Sequence, residues 1–518
     1  MKTIKFLATA YVMLWANYVA FAQNINLSNG HIFDGEPYLT IDPSDARHIT
    51  VAWLGWTLTE KVVIKVKTSF DGGDTWTDEY RFAHADSGFT SADPSMAYYK
   101  DSLLYLAFID YNGKYANPHA GGIYVFRSED GGVSWDALGK ALDINADSNK
   151  LPIDRPWVAA DTTGVVFITS TNAKGAAAPN HPYLSVSYDG GQTFSWQHLD
   201  TTDWWAGSYI MQPMATNCVS EDGTFYAVYP SYVPSQNIYG QFILVTSTDQ
   251  WQTVSYRTLL TSTTGISDTL VKKGYLIRSD PSNPAHLAFF FLTTQFGDID
   301  VAMTESYDYG QTWEPVQRIN DDPPGNKKIQ DMVWADFDTD GDLVVVWRDR
   351  RNGNDTTYAS SYEIYATYRM HDSDSFVPNF SVSDTLIPFD TILNYAGNDF
   401  LSVGLLHDTA YIVWGDTRNG KMNIWLSKFV LGQTPASVKQ VSITDVPEIY
   451  PIPVQNNLLY VKGKNLRSFE IVSMDGKRCQ YGTIENTTIN THGLEKGVYL
   501  LKITDSKHHV FIRKIIIP

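Results

Sequence analysis

Four times the chain spells S-x-D-x-G-x-[ST]-[WF]. The copies are Ser69-Phe70-Asp71-Gly72-Gly73-Asp74-Thr75-Trp76, Ser128 to Trp135, Ser187 to Phe194 and Ser306 to Trp313. This pattern asks for a tight turn between two strands. The Asp carboxylate collects backbone N–H groups, the Gly positions admit a positive φ, and the aromatic ring packs back over the corner. One such corner is unremarkable. Four in one chain mean that one β unit is built repeatedly, and an array of like units constrains the fold more than any other feature here.

Working outward from each corner gives a unit of roughly sixty residues. Each opens on a short strand, often marked by Pro: Glu36-Pro37-Tyr38, Asp93-Pro94-Ser95, Arg155-Pro156-Trp157 and Gln212-Pro213-Met214, with less regular openings at Tyr275, Asp331 and Asp399. A second strand follows in each unit, as in Ile49 to Trp53, Leu104 to Ile109, Leu343 to Trp347 and Ala410 to Trp414. Boxes are degenerate in unit four (Ser247 to Trp251) and unit six (His371 to Phe376), and unit seven stops after its third strand, Asn423 to Lys428. The segment Asn24 to Ser28 supplies the missing outer strand, which would close a ring and remove free sheet edges. The expected fold is all-β: a seven-bladed β-propeller, with six blades as the alternative, followed by a small C-terminal β-sandwich.

The four boxes resemble the Asp-box (BNR) repeat of the sialidase-like β-propellers. The resemblance implies architecture more than chemistry, because the box is a folding device on the turns. The expected domains are a signal peptide at 1–22, the propeller at 23–430, a linker at 431–440 and a terminal domain at 441–518. Lys2 and Lys5, the apolar run Phe6 to Val19 and Ala20-Phe21-Ala22 make the leader a secretory signal. In the terminal domain, Tyr450-Pro451-Ile452-Pro453, Asp475-Gly476, Leu494-Glu495-Lys496-Gly497-Val498-Tyr499-Leu500-Leu501 and Lys514-Ile515-Ile516-Ile517 are similar to the type IX secretion (Por) C-terminal sorting domain. That resemblance implies the type IX secretion machinery as a partner and a product attached to the outer cell surface.

A formal net charge of −18 argues against nucleic acid as a partner. Cys218 and Cys479 fall in different domains, so no disulfide framework is expected. No transmembrane segment remains after signal removal, and a monomer is expected. H-x-x-x-H and C-x-x-C spacings are absent, so the expectation is no cofactor and no metal.

Aligning the units puts one side chain from each first strand at the mouth of the central channel: Glu36, Asp93, Arg155, Gln212, Asp331 and Asp399. Long loops between second and third strands are expected over the same face, carrying Tyr111 and His119 (Asp110 to Gly122), His181 (Asn172 to His181), Tyr232 (Ser231 to Gly240) and Arg350 (Arg348 to Tyr362). Carboxylates, an Arg and aromatic rings suit a sugar, which offers hydroxyls and C–H faces. The candidate catalytic residues are Asp93, Asp331, Glu36 and Asp399; candidate substrate-binding residues are Arg155, Gln212, Arg350, His119, His181, Tyr111 and Tyr232. The alternative is a ring of mouth residues that merely hydrogen-bond one another.

The sialidase resemblance implies three Arg holding a substrate carboxylate, a Tyr nucleophile with a Glu partner, and an Asp acid/base. The Arg-Ile-Pro motif of that family is missing, so sialidase activity itself is not implied. Trp347-Arg348-Asp349-Arg350-Arg351-Asn352-Gly353 and Trp414-Gly415-Asp416-Thr417-Arg418-Asn419-Gly420 repeat W-x-D-x-R-N-G. Repetition points to a structural role for the motif, with Arg350 the residue expected to face a ligand. The resulting reading is a secreted, surface-attached propeller acting on extracellular glycan as a glycosidase or lyase; a non-catalytic glycan- or protein-binding propeller is the alternative.

Overall fold

In the computed structural model, residues 24–518 are described apart from 101–102, 115–116, 148–152, 173–180, 202, 205, 207–213, 234, 236–237, 263–273, 393–397, 434–446, 464, 474–476, 485–486 and 507–509. The proposed signal at 1–22 lies outside the described residues. The chain divides into two compact units, Met1–Ala436 and Ser437–Pro518. No helix among the described residues is long and apolar enough to cross a membrane.

The first unit is built of seven four-stranded antiparallel sheets. Their inner strands are Asp34–Asp42, Phe89–Lys100, Ile153–Ala160, Thr216–Val219, Tyr275–Asp280, Gln330–Phe337 and Leu401–Leu406. Each inner strand packs against the next, and Leu401–Leu406 packs back on Asp34–Asp42, so the sheets follow one another around a ring. Second strands read as nearly unbroken apolar runs because both faces are covered by neighbouring sheets, and Trp53, Trp347 and Trp414 on them are fully buried. Ring closure uses the start of the chain. Ile25 and Asn26 pair with Leu426 and Trp425, making Ile25–Asn26 the outer strand of the seventh sheet. Closure covers the Leu426 and Trp425 edge and leaves that sheet only a short outer strand.

The turn motif folds as its chemistry requires. In the first copy, Ser69 Oγ donates to Asp71 Oδ1 at 2.8 Å and accepts the Gly73 N–H at 2.8 Å, while Asp71 accepts the Thr75 N–H at 2.8 Å and its hydroxyl at 2.6 Å. Unit four, degenerate by sequence, builds the same corner from Ser247, Asp249 and Thr253. There Gln250 and Trp251 stand where the first box has Gly72 and Gly73, at φ values of 57° and 71°. Those left-handed conformations disfavour any residue with a Cβ. The hydroxyl and carboxylate bonds, rather than the glycines, therefore define the corner.

One expected loop is instead a strand pair. Leu103–Lys114 and Asn117–Ser128 stay paired along this stretch, with a register shift between Asn112 and Gly113, and Tyr111 faces Gly121 on one side and Thr90 on the other. Tyr111 and His119 thus lie on paired strands rather than an irregular loop.

In the second unit, a three-stranded sheet (Glu448–Gln455, Leu458–Lys462, Thr488–Asn490) and a four-stranded one (Leu466–Ser473, Arg478–Thr483, Gly497–Asp505, Val510–Ile517) share one core. Val454, Leu459 and Ile489 from the first sheet meet Ile471, Leu501, Ile503 and Ile515 from the second. This is a small β-sandwich.

Candidate functional site

Four inner strands carry a bulge at their entry, between Gly35 and Tyr38, Ala92 and Ser95, Asp154 and Trp157, and Asp331 and Trp334. Proline explains three of them. Pro37, Pro94 and Pro156 have no N–H to give the ladder, so pairing breaks there; the residue before each stands at positive φ, Glu36 at 53°, Asp93 at 55° and Arg155 at 50°. In the sixth sheet the matching residue is Met332 at 54°, and in the seventh it is Asn398 at 52°. Asp331 and Asp399 therefore sit one place before and one place after the position assigned to them by sequence. A period-two strand makes that offset consequential, because neighbouring side chains leave the backbone in opposite directions.

The bulges bring Glu36, Asp93 and Arg155 together. Asp93 is buried, accepts the Arg155 backbone N–H at 3.1 Å, and shares side-chain hydrogen bonds with Asp154 and Glu36. Burial, reinforced by the neighbouring Glu36 charge, pushes its carboxyl up to about 7 against the pull of Asp154's hydrogen bond and the Arg155 charge. Asp154 occupies the place before the bulge, as Asp331 does in the sixth sheet. The sequence alignment overlooked it by taking one residue per strand. Tyr111 reaches the same acids: burial, then the charges of Asp93, Asp154 and Glu36, raise its hydroxyl.

Across the axis, Arg155 Nη2 donates to Asp399 Oδ2 at 2.5 Å, and its Nη1 lies 3.8 Å from the Met214 sulfur. Asp399 thus joins the group through Arg155, from the opposite side of the ring. Aromatic residues two places beyond the bulges fill the axis. Trp157 meets Tyr38, Trp334 and Phe400 at ring-centre distances of 5.8, 5.3 and 5.1 Å. The cavity between them, lined by Arg155, Met214, Asp399 and Phe400 among others, measures about 20 Å³, room for a single water rather than a sugar ring. Around these residues the hub is a packed core capped by a polar group.

Asp331 has other partners. Arg348 clamps it with Nε at 2.7 Å and Nη2 at 2.5 Å, Arg350 Nη1 adds a contact at 3.0 Å, and the Tyr358 hydroxyl donates at 2.9 Å. Burial alone would raise its pKa; the two guanidinium charges win and hold the carboxyl well below the usual range. Arg350, expected to face a ligand, is 1% exposed and donates to Asp331, to the Tyr358 carbonyl and to the Ile329 carbonyl. Asp331 and Arg350 together form an internal brace.

The repeated motif is structural in both copies. Asp349 accepts from the Trp347 indole at 2.7 Å and from Arg351 at 2.9 and 3.0 Å; Asp416 accepts from Trp414 at 2.9 Å and from Arg418 at 2.7 and 2.9 Å. Arg351 then stacks on Tyr365 and Arg418 on Trp425. Arg278 donates to the Ala335 carbonyl and lies over Trp334. Each guanidinium that might have held a substrate carboxylate has its own protein partners.

The remaining candidates are dispersed. His181 bonds Asp200 at 3.0 Å and stacks on His198 in the third sheet. Tyr232 donates to the Ile238 carbonyl at 3.2 Å in the fourth. Gln212 lies outside the described residues, as does most of the Asn172 to His181 loop, and His119 lies on a strand without a described side chain.

Residues 448–518 match the family model described as a secretion system C-terminal sorting domain. The chain ends in a sorting domain. No curated protein matches the chain. Among solved structures, it is similar to the α-L-arabinofuranosidase Arb93A of Fusarium graminearum (12% identity, 79% of this chain and 98% of that one, TM-score 0.44). It is likewise similar to the α-L-arabinanase of Penicillium chrysogenum (12%, 79% and 97%, 0.42) and to the Trypanosoma rangeli sialidase (10%, 95% and 88%, 0.41). A sorting domain accounts for a small sandwich with a core of its own, separate from the propeller that carries the polar hub.

Proposed function

We propose that this is an exported, surface-attached propeller that cleaves extracellular glycan at the hub, with Asp93 as the proton donor. One observation carries the reading: a buried carboxyl raised to about 7 beside other acids and an Arg. A general acid must hold its proton at working pH and release it to a leaving oxygen, and enzymes reach that state by burial and like charge. Burial and the Glu36 charge raise the proton affinity of Asp93, and the Asp154 hydrogen bond opposes them. Asp399, held by Arg155, is the second carboxylate of this reading, acting on the sugar carbon or on a water. The sorting domain supports export and surface attachment.

A second reading is a docking propeller without chemistry. It is favoured by the single-water cavity and by the buried pairing of Arg350 with Asp331. Screening the purified protein against polysaccharides, with reducing ends and the ultraviolet absorbance of unsaturated uronates as readouts, separates the two. Hydrolysis lost in Asp93→Asn supports the first; retention of a polysaccharide without any product supports the second.

A further inference from the structure

Outside the hub, two histidines and two carboxylates meet where the second and third sheets adjoin. His181 and Asp200 flank the third and fourth strands of the third sheet, Pro182–Ser187 and Ser195–His198, and His198 ends the latter. The register sets Tyr183 opposite His198, and the Leu199 N–H donates to the Pro182 carbonyl at 2.8 Å, so His181 falls beside Asp200. The imidazoles of His181 and His198 stack in parallel, 4.2 Å apart with 5° between planes. His181 Nδ1 lies 3.0 Å from both Asp200 oxygens. Asp147, which follows the last strand of the second sheet, Asp136–Asp143, reaches His198 Nε2 at 2.9 Å.

One donor atom each from His181, His198 and Asp200 lies within 4.8 Å of the others. Tetrahedral zinc, with bonds of about 2.0–2.2 Å to nitrogen and oxygen, wants its ligand atoms about 3.3 Å apart. To reach that spacing the two imidazoles must turn out of their parallel stack. Outer partners are already in place: Asp200 accepts the Ala206 N–H at 3.0 Å, and Asp147 accepts the Tyr183 hydroxyl at 3.3 Å. Imidazole and carboxylate donors together favour a divalent transition ion over calcium or magnesium.

We propose that His181, His198 and Asp200 form a Zn²⁺ site on the third sheet, with water as the fourth ligand and Asp147 of the second sheet bonded to His198 as an outer partner. It lies apart from the hub acids and does not depend on the glycan reading. Its ligand spacing, H-x16-H-x-D, matches no short motif. Only the cross-strand register reveals it.

The test is zinc titration of the chelator-stripped full chain by calorimetry, with the melting temperature and the visible spectrum of the Co²⁺-loaded protein as further readouts. The site predicts one tightly bound Zn²⁺ per chain, a higher melting temperature with metal, and the intense bands of four-coordinate Co²⁺. His198→Ala and His181→Ala should each weaken binding at least tenfold. The metal-free His198→Ala protein should melt close to metal-free wild type, since His198 is exposed. Absence of tight binding, or binding that survives both substitutions undiminished, overturns the site. His371→Ala, which removes one member of the Asp340, Asp342 and His371 group, should leave the tight site intact; loss of tight binding there would overturn the assignment.

Discussion

Replacing Asp93 by Asn should change how stability depends on pH more than it changes stability itself. The Asp93 carboxyl titrates at about 7 in the fold against 3.8 in the unfolded chain. Because the folded value is the higher one, the native state binds the proton more tightly between those limits. Its stabilising contribution is complete below about pH 4 and is lost as pH rises to about 7. At 1.36 kcal/mol for each tenfold change in proton affinity, the loss is about 4 kcal/mol. Asn has the shape of the protonated acid, can accept the Arg155 N–H and can donate to Glu36 or Asp154. Asp93→Asn should therefore match wild type near pH 4 and exceed it by up to about 4 kcal/mol near pH 8. Urea unfolding followed by tryptophan fluorescence across that range measures the difference. Glu36→Gln, which removes the neighbouring charge, should flatten the wild-type slope too, since two coupled acids titrate as a pair. Parallel wild-type and Asp93→Asn profiles, or a variant weaker at every pH, would refute a proton held at this position.

The brace around Asp331 gives an opposite signature. Asp331→Ala strands two buried guanidinium groups and should cost about 3–5 kcal/mol at neutral pH, read as a lower melting temperature. Gly131 in the second box sits at φ +70°, and a Cβ there would stand 2.1 Å from the His48 ring, which bonds the Gly131 carbonyl at 2.7 Å. Gly131→Ala should destabilise by about 2–4 kcal/mol in denaturant unfolding. Glu305 lies between Arg369, at 2.5 and 2.9 Å, and His286, at 2.9 Å. Burial opposes its charge, but the Arg369 and His286 hydrogen bonds bring it down to about 2 from 4.5. Its contribution of about 3 kcal/mol is present above the unfolded pKa and lost as pH falls towards 2, so Glu305→Gln should flatten acid unfolding.

The repeated corner and the seven second strands were legible because each signal is local. Ser, Asp and Thr fix a turn within eight residues, and apolar runs mark strands buried on both faces. The outer strand at Ile25–Asn26 was legible too, since a unit lacking its fourth strand must borrow one. The hub was less so. Glu36, Asp93 and Arg155 announce their bulges through the following proline, but the sixth sheet bulges and the seventh turns to positive φ without one, and the assigned positions slipped by one residue at Asp331 and Asp399. Arg350 misled for a different reason. A side chain at the end of a strand can turn outward to a ligand or inward to a buried acid, and only the position of Asp331 decides. His198 and Asp200 were missed because their partners come from across a strand pair and from the neighbouring sheet.

The most direct test of the hub is the pH–rate profile of glycan cleavage by wild type and Asp93→Asn, on whichever polysaccharide the screen selects. If Asp93 delivers the proton, wild-type turnover falls above about pH 7 and the Asn variant, folded and melting no lower than wild type near pH 5, turns over at least a hundredfold more slowly. Turnover unchanged in that variant, or an alkaline limb unmoved by the substitution, would contradict the account.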